Sequence, residues 1–453
     1  MKIRQSGRPI SLDRFIIKRS IYDFDTDENI IDHDQFDNEK SVDESLYYIN
    51  TARERFFQNN YRSMLKNIMF LNKSISRDIF WNENVDLKPH EIIKHWPVEA
   101  RRHPLLSNSP AVFLDLPDLD THFCKNIVDW GNTGYIATIF DSKVHLWHPD
   151  KKVTIKVSTE FYDNTVERCI RWNRDGSLFA VAVNINQVAV YDILGNKVSS
   201  NIGSCTCSVK NSVSDKLCTI ISVEWTKSNI LLTGCSNGTL TKFNANLKWQ
   251  RFRYRVHSED IIKLALSCHE NYLTSVGIDK TVLIMKYPEL DIIQTCRSVT
   301  TKAIAWHPWK DSLLVLGETD HFFLWNVQNQ KVSCSVIFPN TYIDSLIFNP
   351  MSAELLVSQH LYDEDGNIVS YLRVMKNLNC IVDEVRCNAC RIPYLMWDPT
   401  ATKLGTASTE ENFCIWDFFG RGTKQEKKYK NTKRGVYAND IFKNNVAFGS
   451  VIR

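Results

Sequence analysis

Cys205-x-Cys207 and Cys387-x-x-Cys390 are the residues of this sequence best spaced to ligate a metal. Together they offer four thiolates, a set that structural zinc favours. The two pairs stand far apart in the chain, and neither has a second Cys-x-x-Cys beside it, so no metal is expected. Most of the other cysteines alternate with apolar residues and read as small buried groups. Serine, histidine and aspartate are plentiful, yet there is no phosphate-cradling glycine loop or His-Glu-x-x-His. His307, in AWHPW, reads as a residue that caps a turn. Neither catalysis nor a cofactor is expected.

Charge adds little to the list of possible activities. The net charge of +3 gives no strong field for nucleic acid or an acidic substrate. The charge is unevenly placed: Asp23 to Glu44 holds ten acidic residues and one lysine, and Arg421 to Arg434 holds seven basic residues and one Glu. Such runs read as solvated tails or linkers. The basic run has Tyr429 as its sole aromatic, so it lacks the stacking platforms of a single-strand binder. No apolar run approaches the roughly 20 residues of a membrane helix. The start MKIRQSGRP has no apolar stretch for a signal peptide, and the cysteines form no regular disulfide framework, which points to a reducing interior in the cytoplasm, the nucleus or both.

The elements that must position any site are repetitive. Val128-Asp129-Trp130, Ile170-Arg171-Trp172, Val223-Glu224-Trp225, Leu264-Ala265-Leu266, Ile304-Ala305-Trp306, Leu346-Ile347-Phe348 and Leu395-Met396-Trp397 share one pattern: apolar, variable, then large. A second series, from Leu146-Trp147 to Ile415-Trp416-Asp417, follows each member by 17 to 27 residues. Both recur every 40 to 53 residues, the period of four-stranded propeller blades. Seven copies suffice to close a ring. LFAVAVNINQVAVYD and KLGTASTEENFCIWD read as strand pairs joined by polar turns. The wider spacings before Trp225 and Trp397 predict longer loops at 198–217 and 361–388.

The expected organisation is therefore an all-β, seven-bladed propeller over 110–419, preceded by an arm over 1–109 and followed by a basic linker and tail over 420–453. Residues 41–72 have helical spacing of apolar side chains and open on a Ser-x-x-Glu capping box. Two readings stand for that helix: docking on a partner, or packing on its own propeller.

Asp13-Arg14-Phe15-Ile16-Ile17-Lys18-Arg19 resembles the C box of the Fizzy and Fizzy-related co-activators of the anaphase-promoting complex, Asp-Arg-aromatic-Ile-Pro-x-Arg. Ile452-Arg453 resembles that family's Ile-Arg tail. FLDLPDLDTHFCKNIVDW resembles its entry into blade one, KAIAWHPW its fifth blade and YLMWDPTATKLGTASTEENFCIWDFF its seventh. YRSMLKN, residues 61–67, resembles a helix of the Fizzy-related branch.

The resemblance implies a non-catalytic WD-repeat subunit that activates a ubiquitin ligase in the cell cycle, in mitotic or meiotic division, and brings it substrates. Its partners would be subunits of the anaphase-promoting complex and degron-bearing proteins, with no nucleic acid or membrane, and it would be monomeric outside the complex. Arg14 and Arg19 would pair with acidic groups while Ile16 fills an apolar pocket, and Asp13 and Phe15 complete the motif. Ile452 and Arg453 would form the second plug, and two plugs raise effective concentration. Ile17 stands where the family has proline, which weakens docking by about 1 kcal/mol or less.

By the same resemblance, Asp115 and Glu411 would receive the arginine of a destruction box, Arg-x-x-Leu, with Leu114 beside them as the apolar anchor. Arg391 matches an arginine of a top-face pocket that reads the Lys-Glu-Asn box. His122, Ile278, Lys280 and Tyr342 depart from the family's residues around it, and these departures weaken that pocket. The other function considered is a propeller scaffold that has left the ligase for a different assembly.

Overall fold

A computed structural model of the chain describes residues 53–54, 56–58, 61, 109–116, 126–140, 143–157, 169–184, 186–198, 203–204, 218–244, 249–297, 303–388 and 390–419. The C-box-like motif with Asp13, Arg14, Phe15, Ile16 and Arg19, the tail residues Ile452 and Arg453, and Cys205, Cys207 and His122 lie outside the described residues.

The strands assemble into seven four-stranded antiparallel sheets, the seven-bladed propeller expected from the repeats. Blades 1 to 6 take their strands in chain order, from Val128–Trp130 as the inner strand of blade 1 to Cys380–Asn388 as the outer strand of blade 6. Each inner strand is one of the seven apolar-variable-large segments. The large residue has a clear role. The indole N–H of Trp225 donates to the carbonyl of Arg171 at 3.1 Å, that of Trp306 to Ala265 at 3.2 Å, and that of Trp397 to Phe348 at 2.8 Å. Each ring therefore fills the space beside its own blade and satisfies a main-chain acceptor of the preceding one.

The turns after the inner strands stitch every blade to the next. Thr133 donates to Gly176 O at 3.0 Å, Asn173 to Asn229 at 3.0 Å, Lys227 N to Glu270 at 2.6 Å, His269 N to Asp311 at 2.8 Å, Trp309 to Pro350 O at 2.8 Å and Asn349 to Ala401 O at 2.8 Å. Lys403 closes the circle on Asp150 of blade 1 at 3.2 Å. His307 works inside this layer. It is fully buried, and its Nδ1 accepts the N–H groups of Trp309 and Lys310 at 3.1 Å each, so it caps the turn as expected.

Two expectations need correction. The segment FLD does not enter blade one: Val112–Asp115 is the fourth, outer strand of blade 7 and pairs with Asn412–Asp417. Joining the two ends of the repeat array in one sheet leaves the ring without an unpaired seam. The second correction concerns 361–388, which is not a long loop. Blade 6 spends the extra residues on longer strands, Leu355–Tyr362, Ile368–Asn377 and Cys380–Asn388, where apolar alternation continues through IVSYLRVMKN.

Residues 53–54, 56–58 and 61 are helical. Phe56 packs on Trp309 with ring centroids 5.5 Å apart, and Lys310 Nζ stands 5.4 Å from its ring centre. Phe57 and Tyr61 of the same helix are exposed. The helix thus packs on its own propeller through one face and leaves another open.

Candidate destruction-box groove

The ring-closing strand sets the site. Its register pairs Leu114 with Phe413 and Asp115 with Asn412, and one step further Leu116 N donates to Glu411 O at 2.6 Å. Strand alternation separates the side chains. Phe113 packs toward the core shared by blades 6 and 7, and Leu114 and Leu116 toward the core of blade 1. Asp115 is exposed at the end of the strand, and Glu411 is half-buried in the turn that faces it. Glu411 has φ of +61°, a left-handed conformation held by the turn Ser408 to Glu411, where Glu411 N donates to Ser408 O at 3.2 Å. Glu410, next to it, has its carboxyl raised by burial.

A small recess of about 20 Å³ lies between blades 7 and 1, on the Leu114 side of the closing strand. Leu114, Leu116 and Phe413 form one wall, and Ile136, Thr138, His145, Trp147 and Thr154 of blade 1 form the other. Thr138 Oγ1 and Trp147 Nε1 are buried there and have no hydrogen-bond partner among the described residues. The carboxylates of Asp115 and Glu411 stand at the end of the strand whose other face presents Leu114, an edge that suits a short peptide carrying a cation and an aliphatic side chain. The chain's own residues thus bring Leu114, Asp115 and Glu411 to one edge. The blade 1 wall has no sequence signal of its own, because its members read as ordinary strand residues.

The top-face pair is arranged differently. Asp344, from the inner strand of blade 6, is completely buried and accepts both Arg391 Nε at 2.9 Å and Arg391 Nη2, as well as His360 Nδ1 at 2.7 Å. Arg391 therefore already has a carboxylate. Tyr342 is exposed and stacks on His360 at 5.2 Å between centroids. Tyr362 packs edge-on against both rings, and Ile278 stands exposed on blade 4.

One constellation has the parts of a hydrolytic triad. His257 Nε2 lies 2.9 Å from Ser275 Oγ, and its Nδ1 lies 3.1 Å from Asp279 Oδ1 and 2.9 Å from Thr281 Oγ1. Burial lowers the histidine pKa, although Asp279 raises it. Ser275 is fully buried, and Gly277 is required because a Cβ there would stand 2.4 Å from His257 Nδ1. A serine sealed from solvent cannot meet a substrate, so this network fastens blade 4. Cys387 and Cys390 are likewise buried, in an apolar cluster with Cys414; burial holds Cys387 up at about 12 and raises Cys390, so both stay thiols.

No family model matches the chain. Among curated proteins it is similar to Protein cortex of Heliconius erato, 28% identical over 361 residues that cover 76% of this chain and 77% of that one. It is similar to Cell division cycle 20.4, cofactor of APC complex, of Arabidopsis thaliana, 25% identical over 435 residues, 93% of this chain and 92% of the relative. WD repeat-containing protein slp1 of Schizosaccharomyces pombe is 23% identical over 342 residues, 73% of this chain and 66% of the relative. Among solved structures, a chain of the Mitotic Checkpoint Complex crystal structure superposes with a TM-score of 0.57 at 21% identity, covering 70% of this chain and 93% of that one, a likeness in fold. The chain is a homologue of the Cdc20/Fizzy family of WD-repeat co-activators, cortex included.

Proposed function

We propose that this protein recruits destruction-box substrates to the anaphase-promoting complex as a non-catalytic co-activator in cell division, meiotic division included. The observation that carries the reading is the seam: the register of the strand that closes blade 7 brings Leu114, Asp115 and the turn of Glu411 to one end of the sheet, next to blade 1. The degron arginine pairs with the two carboxylates, and its leucine packs against Leu114. The C-box-like residues Asp13 to Arg19 and the tail Ile452-Arg453 tether the ligase, in the cytoplasm, the nucleus or both.

Titration of a labelled Arg-x-x-Leu peptide against the intact chain and against the Asp115→Ala, Glu411→Ala variant tests the groove. Loss of binding in the double variant is the expected result; equal affinity places the peptide elsewhere. Changing Arg14 and Arg19 together to alanine should abolish capture of the ligase while the melting temperature is kept.

A second reading, a scaffold for another assembly, is favoured by the top face. There Asp344 occupies Arg391 and Tyr342 is stacked against His360. Purification of the ligase together with the chain, with ubiquitination of a destruction-box substrate switched on, decides for the first reading.

A further inference from the structure

Cys268, His269 and Asp311 bring a thiol, an imidazole and a carboxylate together on the turns that join blades 4 and 5. Their ligand atoms all lie within 4.8 Å of one another. Cys268 Sγ is 3.1 Å from His269 Nδ1 and 3.0 Å from Asp311 Oδ1, and His269 Nδ1 is 3.4 Å from Asp311 Oδ2. Tetrahedral zinc, with bonds of about 2.0 to 2.3 Å to such donors, sets donor–donor edges of about 3.3 to 3.6 Å. The thiol must therefore move apart from the imidazole and the carboxylate by about half an ångström, and Asp311, which meets the thiol through Oδ1 and the imidazole through Oδ2, must turn to present one oxygen. We propose that Cys268, His269 and Asp311 form a zinc site that staples blade 4 to blade 5.

The chemistry balances. Zn²⁺ displaces the thiol proton, which leaves to solvent, and one Zn–S bond forms in place of the S–H group that now donates to Asp311. Thiolate, carboxylate and neutral imidazole together neutralise the divalent ion. Asn271 donates its amide to the other oxygen of Asp311 and keeps that carboxylate turned toward the turn. The His269 N–H also donates to Asp311 Oδ1 at 2.8 Å, which fixes the turn on which two of the three donors sit. Lys227 Nζ is engaged by the Cys268 carbonyl at 2.8 Å, and Glu270 by Lys227 N, so neither takes the metal position. The His269 side chain is 59% exposed, which leaves the fourth position open to water or to a donor from a partner. In the absence of metal, burial and the bond to Asp311 hold the thiol up at about 12.

Zinc retention by the full-length chain against a chromophoric chelator tests the site. The expected result is one zinc per chain, lost in Cys268→Ser and in His269→Ala. His269→Ala removes an exposed side chain and keeps the Cys268 to Asp311 bond, so the fold persists and a melting curve verifies it. Cobalt(II) provides a second measurement: a thiolate-to-cobalt charge-transfer band in the unaltered chain that disappears in Cys268→Ser. No retained zinc in the unaltered chain, or undiminished zinc in the two variants, overturns the assignment.

Discussion

Leu116 N donates to Glu411 O at 2.6 Å, a hydrogen bond between residues almost three hundred positions apart that fixes the end of the ring-closing ladder. The bond uses the main chain of Glu411 and leaves its carboxylate for a ligand. Its φ of +61° is a conformation that glycine adopts without strain. Glu411→Gly should therefore keep the melting temperature within a few degrees while weakening an Arg-x-x-Leu peptide. A charge-assisted pair contributes about 1.5 to 3 kcal/mol, so the loss of affinity should be roughly 10- to 100-fold. Glu411→Gln, which keeps the shape and loses the charge, should fall in the same range. A peptide that binds both variants as well as the unaltered chain removes Glu411 from the groove.

Asp344 presents the opposite situation, a buried carboxylate whose two partners are both cationic or able to become so. Removing it leaves Arg391 without its carboxylate, and single removal of a buried partner costs about 3 to 5 kcal/mol. Because the Arg391 side chain is 31% exposed, solvent offsets part of that cost, and a loss nearer 2 to 3 kcal/mol is expected for Asp344→Ala. Urea denaturation reads it. The same variant frees the guanidinium, so a Lys-Glu-Asn peptide should bind it better than the unaltered chain; equal binding means that Arg391 is not the limiting group.

The sequence makes the ring legible because each blade repeats a large apolar residue at the end of its inner strand, which in blades 3, 5 and 7 is a tryptophan that reaches the neighbouring carbonyl, as Trp225 does to Arg171. What it hides are the pairings between distant segments. Val112–Asp115 reads as the start of the first blade because nothing local shows that its partner strand is Asn412–Asp417. The partner of Arg391 is hidden in the same way, since Asp344 lies on another blade among residues that read as ordinary strand. Leu114, Asp115 and Glu411 were visible through the family resemblance, but the wall of Ile136, His145 and Trp147 emerges only when blade 1 is folded against blade 7.

Trp225 allows a direct measurement of the inter-blade role. It is 1% exposed, and its indole N–H holds Arg171 O. Trp225→Ala opens a cavity and should cost about 3 to 5 kcal/mol. Trp225→Phe keeps most of the apolar volume but leaves the Arg171 carbonyl without that donor, for a further cost of about 1 kcal/mol beyond the lost volume. Denaturant midpoints for the two variants in one series separate volume from hydrogen bond. If both variants unfold at the midpoint of the unaltered chain, the aromatic series is decoration and the blades are held by other contacts.

His307 makes stability depend on acid. Burial, with Lys310 adding to it, lowers its pKa from the ordinary 6.5 to about 3. In that interval the unfolded chain binds a proton that the folded chain refuses, so stability rises with pH. This contribution is complete above about 6.5 and is lost progressively as pH falls toward 3. Each pH unit is worth about 1.4 kcal/mol, so moving from pH 6.5 to pH 5 should destabilise the fold by about 2 kcal/mol through this residue alone. His307→Asn keeps a side-chain acceptor for Trp309 N and Lys310 N but does not titrate. Its stability should be lower at neutral pH and should change less between pH 7 and pH 5. Parallel pH dependences for the two chains would assign the acid sensitivity to other groups.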